Sequence, residues 1–154
     1  MAYQLDAIDK QIIQLLLKDG KMKIKEVAHE LNMTNTPVFD RIKRLEKEGF
    51  IEGYTAIVNT GKLGFTLIAY CSVMLEKHNT EFLETFERDI RQLPEVIECY
   101  YIAGMFDFLL KVFVKDMSAY QQFVTQHLAS LDNISRVQSS FVLTEIKREY
   151  MLPL

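Results

Sequence analysis

The sequence predicts an α+β protein in two parts: an amino-terminal winged-type helix-turn-helix, then a carboxy-terminal ferredoxin-like βαββαβ domain. Three observations carry this reading. Two short helical patterns lie close together near the start, and the second is basic. Gly61 and Gly64 interrupt the chain after a β-rich stretch. Beyond them, strand-like and helix-like segments follow one another in the order β-α-β-β-α-β.

The first helix starts at Asp6, with Asp9 three residues later in the place of a capping-box acid. Ile8, Ile12, Leu15 and Leu16 recur at helical spacing, and Gly20 supplies a stop. Ile24, Val27, Ala28 and Leu31 give a second, shorter helix with one buried stripe, and Asn32-Met33 makes a tight turn. Thr34 is placed to cap a third helix that tolerates Pro37 in its first turn and ends at Gly49. Residues 50–59 are β-rich and broken by Gly53, which predicts a short ribbon leading to the glycine hinge. The domain boundary is therefore expected near residue 60, giving parts 1–60 and 61–154.

In the second part, Leu67–Leu75 reads as an apolar strand. A helix capped by Thr80 buries Leu83, Phe86, Ile90 and Leu93, and Pro94 forbids its continuation. Val96–Ala103 and Phe108–Lys115 read as strands joined across Gly104-Met105-Phe106-Asp107. Ser118 is placed to cap a helix built on Tyr120, Phe123, Val124, Leu128 and Leu131, and Ile134–Ile146 reads as a long closing strand. Such a sheet has helices on one face only, and a second subunit is the simplest cover for the other.

The 154 residues are 49% hydrophobic and 25% charged, which suits one ordinary domain or two small ones and argues against disorder. No apolar run approaches the roughly 20 residues that span a bilayer. The first ten residues carry Asp6 and Asp9 and lack the build of a signal peptide, so a cytoplasmic protein is expected. Cys71 and Cys99 form no CxxC pair, and both read as buried, reduced thiols. His29, His78 and His127 are scattered and read as surface or half-buried residues. No nucleophile–base arrangement, metal-ligand set or phosphate-binding glycine loop is apparent, so neither an enzyme nor a metal or other cofactor is expected.

Although the net charge is −3, residues 21–47 hold seven Lys or Arg against four acids. A local basic excess in an acidic protein marks a nucleic-acid-facing patch better than the overall charge does. On the third helix, Val38, Ile42 and Leu45 form the packing stripe; opposite lie Thr36, Phe39, Asp40, Lys43, Arg44 and Lys47. Major-groove reading calls for short polar groups near the helix start and cations further along. Asn35, Thr36, Phe39 and Asp40 are the candidate base-edge contacts, and Arg41, Lys43 and Arg44 the candidate base or phosphate contacts. Lys23 and Lys25 would reach the DNA backbone from the second helix. A solvated face with i,i+4 pairs such as Asp40–Arg44 stays open as the alternative.

Several motifs together resemble the Lrp/AsnC ("feast/famine") regulators. They are Leu5-Asp6-x-x-Asp9-x-x-Ile12, Val27-Ala28-x-x-Leu31 and the run from Thr36-Pro37-Val38 through Arg41-Ile42-Lys43-Arg44-Leu45-Glu46 to Gly49-Phe50-Ile51-x-Gly53-Tyr54. Gly104-x-x-Asp107-x-x-Leu110 and Asp116-Met117-x-x-Tyr120 continue the likeness, which covers nearly the whole chain. The resemblance implies a DNA-binding transcriptional regulator with a ligand-binding domain, acting on double-stranded DNA. It also implies dimers that associate into octamer-like rings and an amino-acid effector held between dimers. Carried over by position, the effector site uses Gly104, Met105, Phe106 and Asp107, with Met117 and Ser139-Ser140-Phe141. Turn amides suit a carboxylate and Asp107 suits an α-ammonium group. Two alternatives stay open: Gly104–Asp107 as a plain β-turn, and a module whose helix-turn-helix makes only protein contacts.

Overall fold

A computed structural model describes residues 3–154; the first two residues of the amino-terminal segment read above lie outside it. The chain forms two compact units, Met1–Ile57 with Ile146–Leu154, and Val58–Glu145.

In the first unit, α1 spans Ala7–Lys18, α2 Ile24–Glu30 and α3 Asn35–Lys47. The predicted capping box closes α1: Asp9 N–H donates to Asp6 Oδ1 at 2.8 Å, and Asp6 N–H to Asp9 Oδ2 at 3.2 Å. Thr34 does stand at the N-cap of α3, though its side chain makes no capping bond. Asn32 takes φ 51° in the turn between α2 and α3, a left-handed value that asparagine tolerates. Gly49 (φ 76°) ends α3 in a Schellman arrangement: Phe50 N–H reaches the Leu45 carbonyl at 2.9 Å and Gly49 N–H the Glu46 carbonyl at 3.2 Å. Ile12, Val27, Ala28, Val38, Ile42 and Leu45 form the core of this unit.

The expected ribbon over 50–59 is not a strand. Among the described residues no segment pairs with it, and Tyr54, Ile57 and Val58 are exposed. A strand needs a neighbour for its alternate N–H and C=O groups, and β-propensity alone cannot supply one.

The second unit holds β1 (Leu67–Leu75), α4 (Thr80–Ile90), β2 (Val96–Tyr101), β3 (Phe108–Val114), α5 (Met117–Gln122) and β4 (Ile134–Phe141). All ladders are antiparallel, in the order β2-β3-β1-β4. Ala69, Cys71, Val73 and Leu75 of β1, with Phe108, Leu110, Val112 and Val114 of β3, face the helices and are buried. Phe86 and Ile90 from α4, and Tyr120, Phe123 and Leu128 from the α5 side, complete that core. The other sheet face carries half-buried Ile68, Tyr70, Met74, Leu109 and Phe113.

Five details differ from expectation. Asn79, not Thr80, caps α4, accepting from Phe82 N–H at 3.1 Å; Asp116, not Ser118, caps α5, accepting from Ala119 N–H at 2.8 Å. After α5 the chain widens into a π-helical turn at Phe123–His127, whose five-residue step puts both Phe123 and Leu128 in the core. The closing strand stops at Phe141, opposite Ala69, and the Val142 N–H to Ile68 carbonyl bond at 3.0 Å is its last rung. Cys71 is buried as expected, but Cys99 is exposed: it lies on the edge strand β2, where a cavity of about 530 Å³ opens between β2 and α4.

Candidate functional site

The packing stripe of α3 is buried, which turns its opposite side outward. Asn35, Thr36, Phe39, Asp40, Lys43, Arg44 and Lys47 are all exposed, as are Lys23 and Lys25 on the α2 side. Phe39 is 43% exposed, a large aromatic surface facing water on a helix that has a core face available. Lys43 donates to Glu46 Oε2 at 2.8 Å, and its ammonium lies 5.9 Å from the centre of the Phe39 ring. The Arg44 guanidinium stacks on the Tyr3 ring at 4.5 Å.

Arg41 is placed differently from its neighbours. Its Nη1 donates to Asp6 Oδ2 at 2.6 Å and to Asp9 Oδ1 at 2.7 Å. Asp9 has no solvent exposure, and it also accepts from the Tyr3 hydroxyl. The sequence counted Arg41 among the DNA-facing cations, whereas the structure turns its guanidinium inward to tie α3 to the start of α1. The partner carboxylates were legible as caps, and their second task was not. The N–H of Asp9, followed by the Arg41 guanidinium, holds the Asp6 carboxyl below the ordinary carboxylate range.

In the second unit the turn Gly104–Asp107 joins β2 to β3. Met105 at its tip is 75% exposed, and Phe106 is half-buried. Asp107 Oδ2 accepts from Leu75 N–H at 2.7 Å and lies 3.0 Å from His78 Nε2. Asp107 N–H donates to the Val73 carbonyl at 2.9 Å. The Arg136 guanidinium lies 5.8 Å from the centre of the Phe106 ring. Neither His78 nor Arg136 was singled out from the sequence; only strand register brings them to the turn.

The remaining candidates for the effector site lie further along the sheet. Ser139 is level with Cys71 and Leu110, and its hydroxyl accepts from Tyr120 beneath α5. Ser140 pairs with Tyr70 one residue on and so points to the opposite face. Phe141 packs edge-on against Tyr120, with ring centres 4.9 Å apart. Met117, exposed at the start of α5, follows the far end of β3, about 20 Å from the turn at roughly 3.3 Å per residue. One copy of the chain thus holds the turn and Met117 at opposite ends of the sheet.

Two family models match the chain: "Winged helix-turn-helix DNA-binding" over residues 5–52, and "Lrp/AsnC ligand binding domain" over residues 68–152. The chain belongs to the Lrp/AsnC family. The leucine-responsive regulatory proteins of Escherichia coli and Salmonella typhimurium are similar, each 34% identical over 96% of this chain and 90% of their own. A transcriptional regulator of Neisseria meningitidis, solved as its L-Met complex, is 33% identical, with a TM-score of 0.93 and 97% of each chain covered. An AsnC-family regulator of Agrobacterium tumefaciens is 30% identical, with a TM-score of 0.91 and the same coverage. The chain is therefore a DNA-binding transcriptional regulator whose helix-turn-helix unit holds α1, α2 and α3, and the sheet domain is its ligand-binding domain. Among the described residues no helix is long and apolar enough to cross a membrane.

Proposed function

We propose that this Lrp/AsnC-family protein reads specific duplex sequences through α3 and that an amino acid bound at the Gly104–Asp107 turn modulates the reading. It acts as a regulator and not as an enzyme. The observation that carries the proposal is the exposed α3 face, where Asn35, Thr36, Phe39 and Asp40 precede Lys43, Arg44 and Lys47. Short polar groups and one aromatic suit base edges and a thymine methyl, and the cations suit phosphates. Lys23 and Lys25 add phosphate contacts from the α2 side, while Arg41 holds the unit together.

The effector half is supported by the N. meningitidis relative solved with L-Met and by the turn itself. Its anchored Asp107 carboxylate suits an ammonium group. Because the turn, Ser139–Phe141 and Met117 are spread along one sheet, an effector that touches all of them needs a second copy. A homodimer closed over Ile68, Tyr70, Met74, Leu109 and Phe113, associating further toward an octamer, accounts for that sheet face as well.

The test is selection from a random duplex library by the full chain, repeated with each common amino acid. Enrichment of a short two-fold motif, altered in strength by at least one amino acid, is expected. Failure to enrich any sequence under all conditions overturns the proposal.

A further inference from the structure

We infer that Arg136 is a further specificity-determining residue of the effector site, the cation that receives the effector's carboxylate opposite Asp107. The inference rests on the reading of Gly104–Asp107 as the place where an amino acid binds.

Asp107 and Arg136 flank the same short stretch of β1 from its two sides. On the β3 side, Asp107 is fixed by its N–H to the Val73 carbonyl and by Leu75 N–H to its own Oδ2. On the β4 side, Arg136 pairs with Met74, one residue from both anchors. Neighbouring strands lie about 4.8 Å apart, so the backbones of Asp107 and Arg136 stand about 10 Å apart, two strand spacings, on either side of β1. The ring of Phe106, the residue before Asp107, reaches Arg136, whose guanidinium lies 5.8 Å from its centre. A cation held over an aromatic face keeps its orientation while its N–H donors remain available.

The two charges are differently engaged. Asp107 Oδ2 is taken by Leu75 N–H and His78, whereas Oδ1 accepts no hydrogen bond from the described residues. Arg136 has no ion-pair partner among the described residues. An acid and a guanidinium on either side of one strand but not paired, with an aromatic ring beside the guanidinium, are complementary to a zwitterion that also carries an apolar side chain. The planar guanidinium matches a carboxylate in two-point geometry, Asp107 Oδ1 matches the ammonium, and Phe106 offers the side chain a surface. An amine without a carboxylate would leave Arg136 unsatisfied, so Arg136 selects α-amino acids over amines and amides.

The experiment measures binding to the full chain by thermal shift and calorimetry. The probes are the common L-amino acids at millimolar concentration, then the primary amide of the tightest binder. In the unsubstituted protein the amino acid should bind about ten- to hundred-fold more tightly than its amide, as expected for one charge-assisted contact. Arg136→Met should bring the two ligands to within about three-fold of each other by weakening the acid alone, and Arg136→Lys should restore part of the preference. Asp107→Asn should weaken acid and amide alike. If Arg136→Met leaves the preference intact while Asp107→Asn still weakens both, Arg136 is excluded and the turn remains the site. If no amino acid binds the unsubstituted protein, the effector reading falls and this inference with it.

Discussion

The guanidinium of Arg41 on α3 donates to Asp9 Oδ1 on α1 at 2.7 Å, and Asp9 has no solvent exposure. The helix that presents the proposed DNA-reading face is therefore held in place by a charge pair at its back. A buried carboxylate that loses its closest cation keeps its desolvation penalty, and among the described residues only the longer cation contact, Arg44 Nη2 with Asp9 Oδ1 at 3.8 Å, would remain to offset it.

Arg41→Ala should accordingly destabilise the DNA-binding unit by about 3 kcal/mol. The expected result is a lower midpoint in urea, followed by helix content and compared with Lys47→Ala, which should stay within about 0.5 kcal/mol of the parent. If Arg41→Ala were as stable as the parent yet deficient in DNA binding, Arg41 would belong with the DNA contacts after all.

Acid should act on the same unit. Asp6 is held low first by Asp9 N–H and then by Arg41, and Glu46 first by Lys43 and then by the Tyr54 hydroxyl. For carboxyls depressed on folding, the stabilisation is complete above the ordinary carboxylate range and disappears as pH falls through the depressed values, below about pH 4. Asp6→Asn should flatten the acid limb of a plot of stability against pH. An unchanged limb would remove Asp6 from this account.

Phe39 faces water in the free protein, so Phe39→Ala should leave thermal stability nearly unaltered. On the bound duplex it should reduce affinity by about ten-fold, with the loss concentrated at a single base position. Uniform loss across all sequences in the selected pool would instead assign Phe39 a role in packing.

Cys99 and Cys71 should differ in reactivity. Although Cys99 is open to solvent on one side, desolvation in the wall of the cavity beside α4, then the Glu87 carboxylate, push its thiol up to about 11 against the pull of Arg91, and burial raises Cys71 as well. Cys99 opens to the cavity beside α4, so iodoacetamide should modify it in the folded protein, about a hundred-fold more slowly at pH 8 than free cysteine because little thiolate is present. Cys71 should be modified only on unfolding. Mass spectrometry of the alkylated chain decides both points.

What was legible in the sequence depended on whether a local rule governed it. Periodicity placed α1, α2, α3 and β1, because Ile12, Val27, Val38 and the alternate residues of β1 must reach a core whatever lies opposite. Pairing and register were not legible. The 50–59 segment has strand composition but no paired neighbour among the described residues, and β4 ends opposite Ala69, short of the expected Ile146. Cys99 has the surroundings of a core residue but lies on an edge strand. In the candidate sites, the outward face of α3 followed directly from its packing stripe. The inward turn of Arg41 depended on contacts 35 and 32 residues away, at Asp6 and Asp9. The same holds for His78 and Arg136 beside the Asp107 turn, which only the folded register brings together.

The central claim is that the α3 face, with Lys23 and Lys25, contacts the phosphates and bases of duplex DNA. The most direct test is the salt dependence of binding to a selected duplex, compared between the parent and the Lys23→Ala, Lys25→Ala, Lys47→Ala triple variant. The account predicts a steep linear fall of log affinity with log salt, and a slope about 0.9 shallower for each phosphate contact the variant loses. Affinity that is insensitive to salt, or a slope unchanged in the variant, would contradict it.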